Sequence, residues 1–428
     1  MRFVAGADYN RPDVYRSIRN SMTAAAARER SDRATLLLAA MLAGLATLGP
    51  FSIDTYMPSF PAIGRALDAS PLQMQQTLSA YMVPFACMML FHGALTDSFG
   101  RRPVILVGLA VFGVASVGCA LAQTLPQLLA FRALQGMSAG TGMVAGRAMI
   151  RDIYSGHQAQ RVMSMVTMIF GLAPAVAPVL GGWLEVAFGW RSIFVFLIVF
   201  AGVLWTGCYV RLSESLAPEK RQPFNLRNLM QNYAKLFSSL RFGLLCSAVA
   251  LNFAGFFLYI ASAPAVIFNL LRLNENQFAW LFVPGIAGVI IGAFVSGRVA
   301  GKLSPRRTVR YAYMTMFGAA AFNAAYHAIL PPALPWTVLP VMIYSIGMSL
   351  AMPSITLLLL DLFPGNRGLA ASLQSAQQSL FAGLAAGLLS PYLSSSGAAL
   401  SVGMAVLLAG GFSCWHIFGL LNRQGHST

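Results

Sequence analysis

The 428-residue chain is 57% hydrophobic and 10% charged, with a mean hydropathy of +0.66. Soluble domains carry roughly 25% charged residues, so this chain has too few polar side chains to cover soluble domains and needs lipid as its solvent. Its net charge of +16 raises nucleic acid as a partner, but no soluble basic module is present to bind one, and the placement of the charge gives it another meaning.

Residues 1–33 are polar and basic and precede the first apolar run by too far for a signal peptide. They read as a cytoplasmic tail. Spans of about 20 apolar residues cross a bilayer, and twelve follow in chain order: Ala34–Tyr56, Leu72–Leu95, Val104–Ala122, Pro126–Ile150, Val162–Trp183 and Ser192–Val210, then Phe242–Asn269, Gln277–Val299, Thr308–Ala328, Trp336–Leu360, Leu369–Tyr392 and Ala398–Leu421. The polar stretch 211–241 separates six from six. The expected architecture is an all-α integral membrane protein of two six-helix bundles, 34–210 and 242–421, joined by a cytoplasmic linker and closed by a short tail, 422–428. With twelve spans both termini share a side. All but four of the 29 Lys and Arg residues fall on that side; Arg65, Arg191 and Arg272 lie opposite, and Arg132 lies within a span. The positive-inside rule makes the crowded side cytoplasmic, so the basic balance is topological.

Local signals appear in the same order. The first span ends Leu48-Gly-Pro-Phe-Ser-Ile-Asp54-Thr-Tyr-Met-Pro58-Ser-Phe-Pro61. The second is followed by Gly93-Ala-Leu-Thr-Asp97-Ser-Phe-Gly100-Arg101-Arg-Pro. The fourth carries Phe131-Arg132-Ala-Leu-Gln135-Gly136 and closes on Arg151-Asp152-Ile-Tyr154. The fifth carries Gly171-Leu-Ala-Pro174-Ala-Val-Ala-Pro178-Val-Leu-Gly181-Gly182. A weaker echo of the Gly93 loop, Gly297 to Arg307, follows the eighth span and suggests internal duplication.

The Gly93 loop resembles the cytoplasmic signature of the major facilitator superfamily, with Asp97, Gly100 and Arg101 in place. The fourth span resembles that superfamily's intramembrane Arg followed by Gln-Gly. The fifth resembles the Gly/Pro antiporter motif of its drug–proton exporters, with Ala177-Pro178 where a Gly-Pro pair is usual. Together with the end of the first span, these stretches are similar to the Bcr/CflA drug-efflux family. The resemblance implies a proton-coupled antiporter in the inner membrane that exports small amphipathic drugs. Export of a metabolite or sugar by the same mechanism, and a non-transporting receptor on this fold, stay open as alternatives.

Physical roles follow for particular residues. Gly93, Asp97, Gly100 and Arg101 form a latch: Gly93 for close helix approach, Asp97 to accept charge-assisted bonds, Gly100 for the tight turn. Prolines 174 and 178 should bend the fifth helix. Asp54 is the one carboxylate well inside a span, and a charge there is by default a functional hypothesis with a partner to be named. Counted from the outer helix ends at ~1.5 Å per residue, Asp54 and Arg132 lie at similar depths. Desolvation raises the pKa of a carboxylate and a neighbouring Arg lowers it, so the pair is expected to load and release a proton; a static bridge is the alternative. The resemblance further implies a cavity lined by helices 1, 4, 7 and 10, to which Asn252, Phe256, Tyr259, Tyr344 and Met348 would contribute, with packing between helices as the competing role. Gln374, Gln377 and Gln378 are polar inside a span, and some of them are expected to bond across helices.

No Gly-rich phosphate loop is present, so no ATP drive is implied. His92, His157, His327, His416 and His426 show no metal-ligand spacing, and the five cysteines read as small buried hydrophobes. The expected protein is a monomeric transporter, not an enzyme, needing no cofactor or metal, whose partners are protons, a small drug and the lipid bilayer.

Overall fold

The computed structural model describes residues 36–424. The expected tail 1–33 and residues 425–428 lie outside them. Among the described residues every element is helical. The twelve long helices are α1 Leu36–Ala66, α2 Pro71–Phe99, α3 Arg101–Leu121, α4 Leu125–Ile153, α5 Gly156–Phe188 and α6 Arg191–Arg211, then α7 Leu240–Ala261, α8 Ala279–Val299, α9 Pro305–Ile329, α10 Leu339–Asp361, α11 Arg367–Leu384 and α12 Gly397–Gln424. Nine of them are long and apolar enough to cross a membrane by themselves; α4, α9 and α11 are comparably long but more polar. Each of the twelve apolar runs is thus a helix, and the chain is a multi-pass membrane protein.

The punctuation has local causes. Ser70 and Gln73 form a capping box that starts α2, with Pro71 at its first position. Gly100, at φ 95°, is the whole connection between α2 and α3; that conformation is strained for any residue bearing a Cβ. Arg191 donates to the carbonyls of Ala120 and Ala122 at 3.1 and 3.2 Å, closing the end of α3. Helix α5 stays continuous through Pro174 and Pro178.

Two findings differ from the sequence reading. Helix α1 does not stop at Tyr56. It breaks into a 3-10 turn at Met57–Ser59 around Pro58 and resumes from Phe60 to Ala66. The linker is not wholly irregular: it forms a twelve-residue helix, Leu226–Phe237, started by Asn225, which accepts from the Asn228 amide at 2.9 Å. Its Leu229, Tyr233 and Leu236 are buried against the bundles.

In the first half α2 packs on α4, α3 on α4 and α3 on α6; in the second half the corresponding pairs α8–α10, α9–α10 and α9–α12 pack likewise. The shared pairing supports internal duplication. The halves meet where α2 packs on α11 and α5 on α8. Lipid provides little hydrophobic drive between helices, so close packing and small residues must hold them. Large apolar side chains such as Val114, Trp183, Val203, Leu357 and Val406 remain exposed on the circumference, which suits lipid as the surrounding solvent.

Candidate functional site

The polar centre of the first bundle is built around Arg132, which is completely buried. Its Nη1 donates to the Ser52 carbonyl at 3.0 Å, the Ser52 hydroxyl at 3.1 Å and Gln135 Oε1 at 2.9 Å. Gln135 in turn donates to Ser116 on α3 at 2.8 Å. The guanidinium lies between two rings, 4.6 Å from the centroids of both Tyr56 and Tyr81. Such contacts strengthen when desolvated. Tyr56 is fixed by donating to Thr77 at 2.9 Å. Tyr81 is brought in because Gly136, one residue past Gln135, rests on the Tyr81 backbone: a Cβ at Gly136 would lie 2.8 Å from that carbonyl carbon. The Nε and Nη2 of Arg132 are buried without a partner.

Asp54 is also buried, at 5% exposure. The expected direct pair with Arg132 is not formed: among the described residues Asp54 makes neither an ion pair nor a side-chain hydrogen bond, and the bonds of Arg132 go to Ser52 and Gln135. Helix geometry gives the reason. Ser52 and Tyr56, four residues apart, share the face that meets Arg132, whereas Asp54, two residues on from Ser52, points about 200° away. Its depth is revised too. With α1 running on to Ala66, Asp54 lies roughly 18 Å along the axis from the outer end rather than one turn below it, and immediately before the helix break.

The candidate cavity residues are in the core of the second bundle. Asn252 donates to the Tyr313 hydroxyl at 3.0 Å, Tyr344 donates to the Asn252 carbonyl at 2.9 Å, and Asn323 donates to the Tyr259 hydroxyl at 2.6 Å. Tyr259 is 1% exposed and Tyr344 fully buried. These three hold α7 to α9 and α10, so helix packing rather than a cavity lining describes them, because each aromatic hydroxyl satisfies a buried partner. Phe256 packs near Gly285 of α8. Asn252 and Met348 do border a small recess, with Phe253 and Ile355. Gln374 and Gln377 bond across helices to Thr356 and Ser247 at 2.8 and 3.0 Å.

The Gly93–Pro103 latch is more extensive than its motif. Arg101 is nearly buried and donates to Asp97, to Thr96 at 2.8 Å and to Asp152 at the end of α4 at 3.2 Å. Its amide and that of Arg102 both donate to the carboxylate of Glu214, at 3.0 and 3.2 Å. Glu214, from the linker, thereby caps α3, where a negative charge at a helix start is favourable. The Gln222 amide donates to the Asp97 carbonyl at 3.1 Å. Gly93 is corrected: a Cβ there meets nothing within 4 Å, so it marks no close approach. Deeper in, His92 joins α2 to α4 through the Met137 carbonyl and Thr141.

In the α5 motif, Gly181 rests against the Thr55 backbone of α1, and Gly182 against the Glu275 backbone of the second half; Cβ atoms there would lie 2.8 and 3.0 Å from the respective carbonyl carbons. Gly171 meets nothing within 4 Å. Pro178 is buried and Pro174 half-buried. The halves also touch where Ser79 donates to the Gly383 carbonyl at 2.7 Å. At the opposite, basic end the linker-helix Tyr233 donates to the Leu90 carbonyl at 2.8 Å. Burial pushes the Tyr233 hydroxyl up to about 12, tempered by the Ser372 hydroxyl.

Reasoning from sequence missed Tyr81, Ser116 and Glu214. Tyr81 carried a signal, a tyrosine on the helix next to α1 at about the level of Arg132; the other two depend on long-range partners.

Comparison with known proteins places the arrangement. A family model described as Major Facilitator Superfamily matches residues 36–387. The chain is 33% identical over 322 residues to the "Uncharacterized MFS-type transporter YdgK" of Bacillus subtilis, covering 74% of this chain and 80% of that one. It is 30% identical over 286 residues to the "Bicyclomycin resistance protein homolog" of Haemophilus influenzae, covering 67% and 72%. It is 28% identical over 403 residues to "Multidrug resistance protein D" of Escherichia coli, covering 93% and 98%. Among solved structures, a D-xylose–proton symporter superposes with a TM-score of 0.64 at 15% identity, covering 89% of this chain and 97% of that one. At that identity the likeness concerns the fold alone.

Proposed function

The chain belongs to the major facilitator superfamily, and within it we propose that it works as a proton-coupled antiporter exporting small amphipathic molecules, antibacterial drugs among them, by alternating access. The observation that carries this reading is a buried carboxylate, Asp54, without a hydrogen-bond or ion-pair partner, in the same bundle as a buried guanidinium whose Nε and Nη2 have no partner. The names of its relatives, a bicyclomycin resistance protein homolog and a multidrug resistance protein, support drugs as cargo and export as the direction.

Arg132 is held by the tyrosine pair and Ser52, so it serves as the fixed member. Asp54 is the movable one. It stands just before the Met57–Ser59 break in α1, and discontinuous helices are where transporters place coupling sites. A rotation of that segment would turn Asp54 toward the face that meets Arg132, whose Nε and Nη2 are without partners. Water, an apolar wall and a guanidinium change a carboxyl group's proton affinity in opposite senses. A cycle that exposes Asp54 to one and then another can therefore take a proton on one side and deliver it on the other. The halves part and close along α2–α11 and α5–α8, with Gly182 allowing the outer closure.

In this reading the protein works as a monomer in the inner membrane. Its basic end, the latch and the linker face the cytoplasm, as the Lys and Arg bias directs. A susceptibility panel in a pump-deficient host, comparing the native chain with Asp54→Asn and Arg132→Ala, tests it. Protection by the native chain, lost in both variants, is the expected result. No protection against any compound would reject drug export in favour of a metabolite cargo.

A further inference from the structure

At the end remote from the latch, a vestibule of about 740 Å³ opens between the two halves. Small-molecule sites occupy about 300–1,000 Å³, so it is the size of a drug site. The first half contributes Phe60, Arg65, Asp68 and Gln75; the second contributes Phe268 and Glu275. Its floor carries the contact of Gln75 with Ser394 at 3.5 Å, and one turn further along α2 Ser79 joins Gly383. Neither Arg132 nor Asp54 lines it.

Three features of the wall specify a ligand. Its formal charges, one Arg against one Asp and one Glu, leave one net negative charge. Phe60 and Phe268 supply aromatic faces, one from each half, suited to flat rings and to cations. Gln75 is 6% exposed, and its Oε1 is a buried acceptor without a donor. A buried acceptor left unpaired is unfavourable, so the floor is short of a hydrogen-bond donor.

We infer that this vestibule binds a cationic amphiphile, a protonated or quaternary amine on an aromatic body, with the cation between Asp68, Glu275 and the Gln75 carbonyl and the rings against Phe60 and Phe268. The site is distinct from the Asp54–Arg132 centre. Because it is built by both halves in their closed contact, an occupant bridges them and favours outer closure. Ligand added from that side therefore slows turnover rather than being carried.

The test uses the full chain in lipid nanodiscs and propidium, an aromatic dication whose fluorescence rises on binding. Binding needs neither a gradient nor transport, so the inference stands or falls separately from the export reading. Exposed charge pairs contribute about 0.2–1 kcal/mol, so Asp68→Asn and Glu275→Gln are each expected to weaken binding about 1.4- to 5-fold. Gln75→Leu weakens it as well, and Arg65→Gln tightens it by a similar factor. Asp68→Asn keeps the fold testable, since Asn also tolerates the positive φ of 50° at that position; unchanged elution and melting of the Asn and Gln variants verify this. Unchanged affinity in the two carboxylate variants overturns the inference. So does an affinity that falls in Arg65→Gln, or an anionic aromatic dye that binds more tightly than propidium and is lost in that variant.

Discussion

Gly136→Ala tests how closely the central site depends on backbone contact between α2 and α4. The new methyl group would lie 2.8 Å from the carbonyl carbon of Tyr81, against ordinary contacts of 3.4 Å or more, and nearer still to its oxygen. Backbone cannot swing aside as a flexible side chain can. The helices must therefore part by at least about half an ångström to clear the carbon, and by well over 1 Å to clear the oxygen as well. Tyr81 moves with α2, and its ring leaves the 4.6 Å contact with Arg132. Overpacking of this kind costs about 1–3 kcal/mol, and a displacement near 1 Å at a functional group is on the order of a 10²-fold loss in enzymes. The expected outcome is a folded but less heat-stable protein whose export of a reporter dye, assayed in everted vesicles, falls by more than about tenfold. Gly93→Ala and Gly171→Ala, where a methyl meets nothing within 4 Å, are the matched controls and should transport normally. Native transport by Gly136→Ala, or an equal loss in Gly93→Ala, refutes the reasoning.

Other perturbations have definite outcomes. Glu214→Ala removes the acceptor of the Arg101 and Arg102 amides and should cost about 1–2 kcal/mol, the scale of a lost helix cap; earlier thermal unfolding in detergent, with partial recovery in Glu214→Gln, is the check. Asn252→Ala leaves the buried Tyr313 hydroxyl without its donor, while the backbone carbonyl that Tyr344 donates to remains, so about 1–3 kcal/mol of stability is lost; export of every compound should fall together with the folded yield, whereas a selective loss of one compound would return Asn252 to the cavity. Tyr233 is held protonated by burial: its hydroxyl titrates near 12 instead of 10. Its stabilising contribution is therefore complete below pH 10 and lost as the pH rises through about 12, so protease cleavage of the linker should be constant from pH 7 to 9 in the native chain and faster at every pH in Tyr233→Phe.

The spans were legible because twenty apolar residues in a row have few physical alternatives. Even α4, too polar to stand out by hydropathy, was readable from its motif and from the loops that bound it. The extension of α1 was hidden because Pro58 and Pro61 look like a stop; the chain takes one 3-10 turn there and continues. The linker helix was hidden by its charges, although Leu226, Leu229, Met230, Tyr233, Leu236 and Phe237 recur at helical spacing. In the site, Arg132 and Asp54 were found by the cost of an intramembrane charge. Their direct pairing was wrong because equal depth does not fix azimuth, and residues 52 and 54 face different ways. The tyrosines around Arg132 were missed since an aromatic ring in a membrane helix has the same sequence signature facing lipid as facing a cation. Gly93 shows the reverse error: a motif position can be read as close packing where nothing approaches.

The most direct test of proton coupling through Asp54 is drug-induced proton movement across proteoliposomes of the native chain and Asp54→Asn, measured with a pH-sensitive dye under an imposed pH gradient. The native chain should move protons on adding substrate and concentrate drug against its gradient. Asp54→Asn should still bind drug and equilibrate it, with neither proton movement nor accumulation. Accumulation that keeps its dependence on the pH gradient in Asp54→Asn would contradict the account.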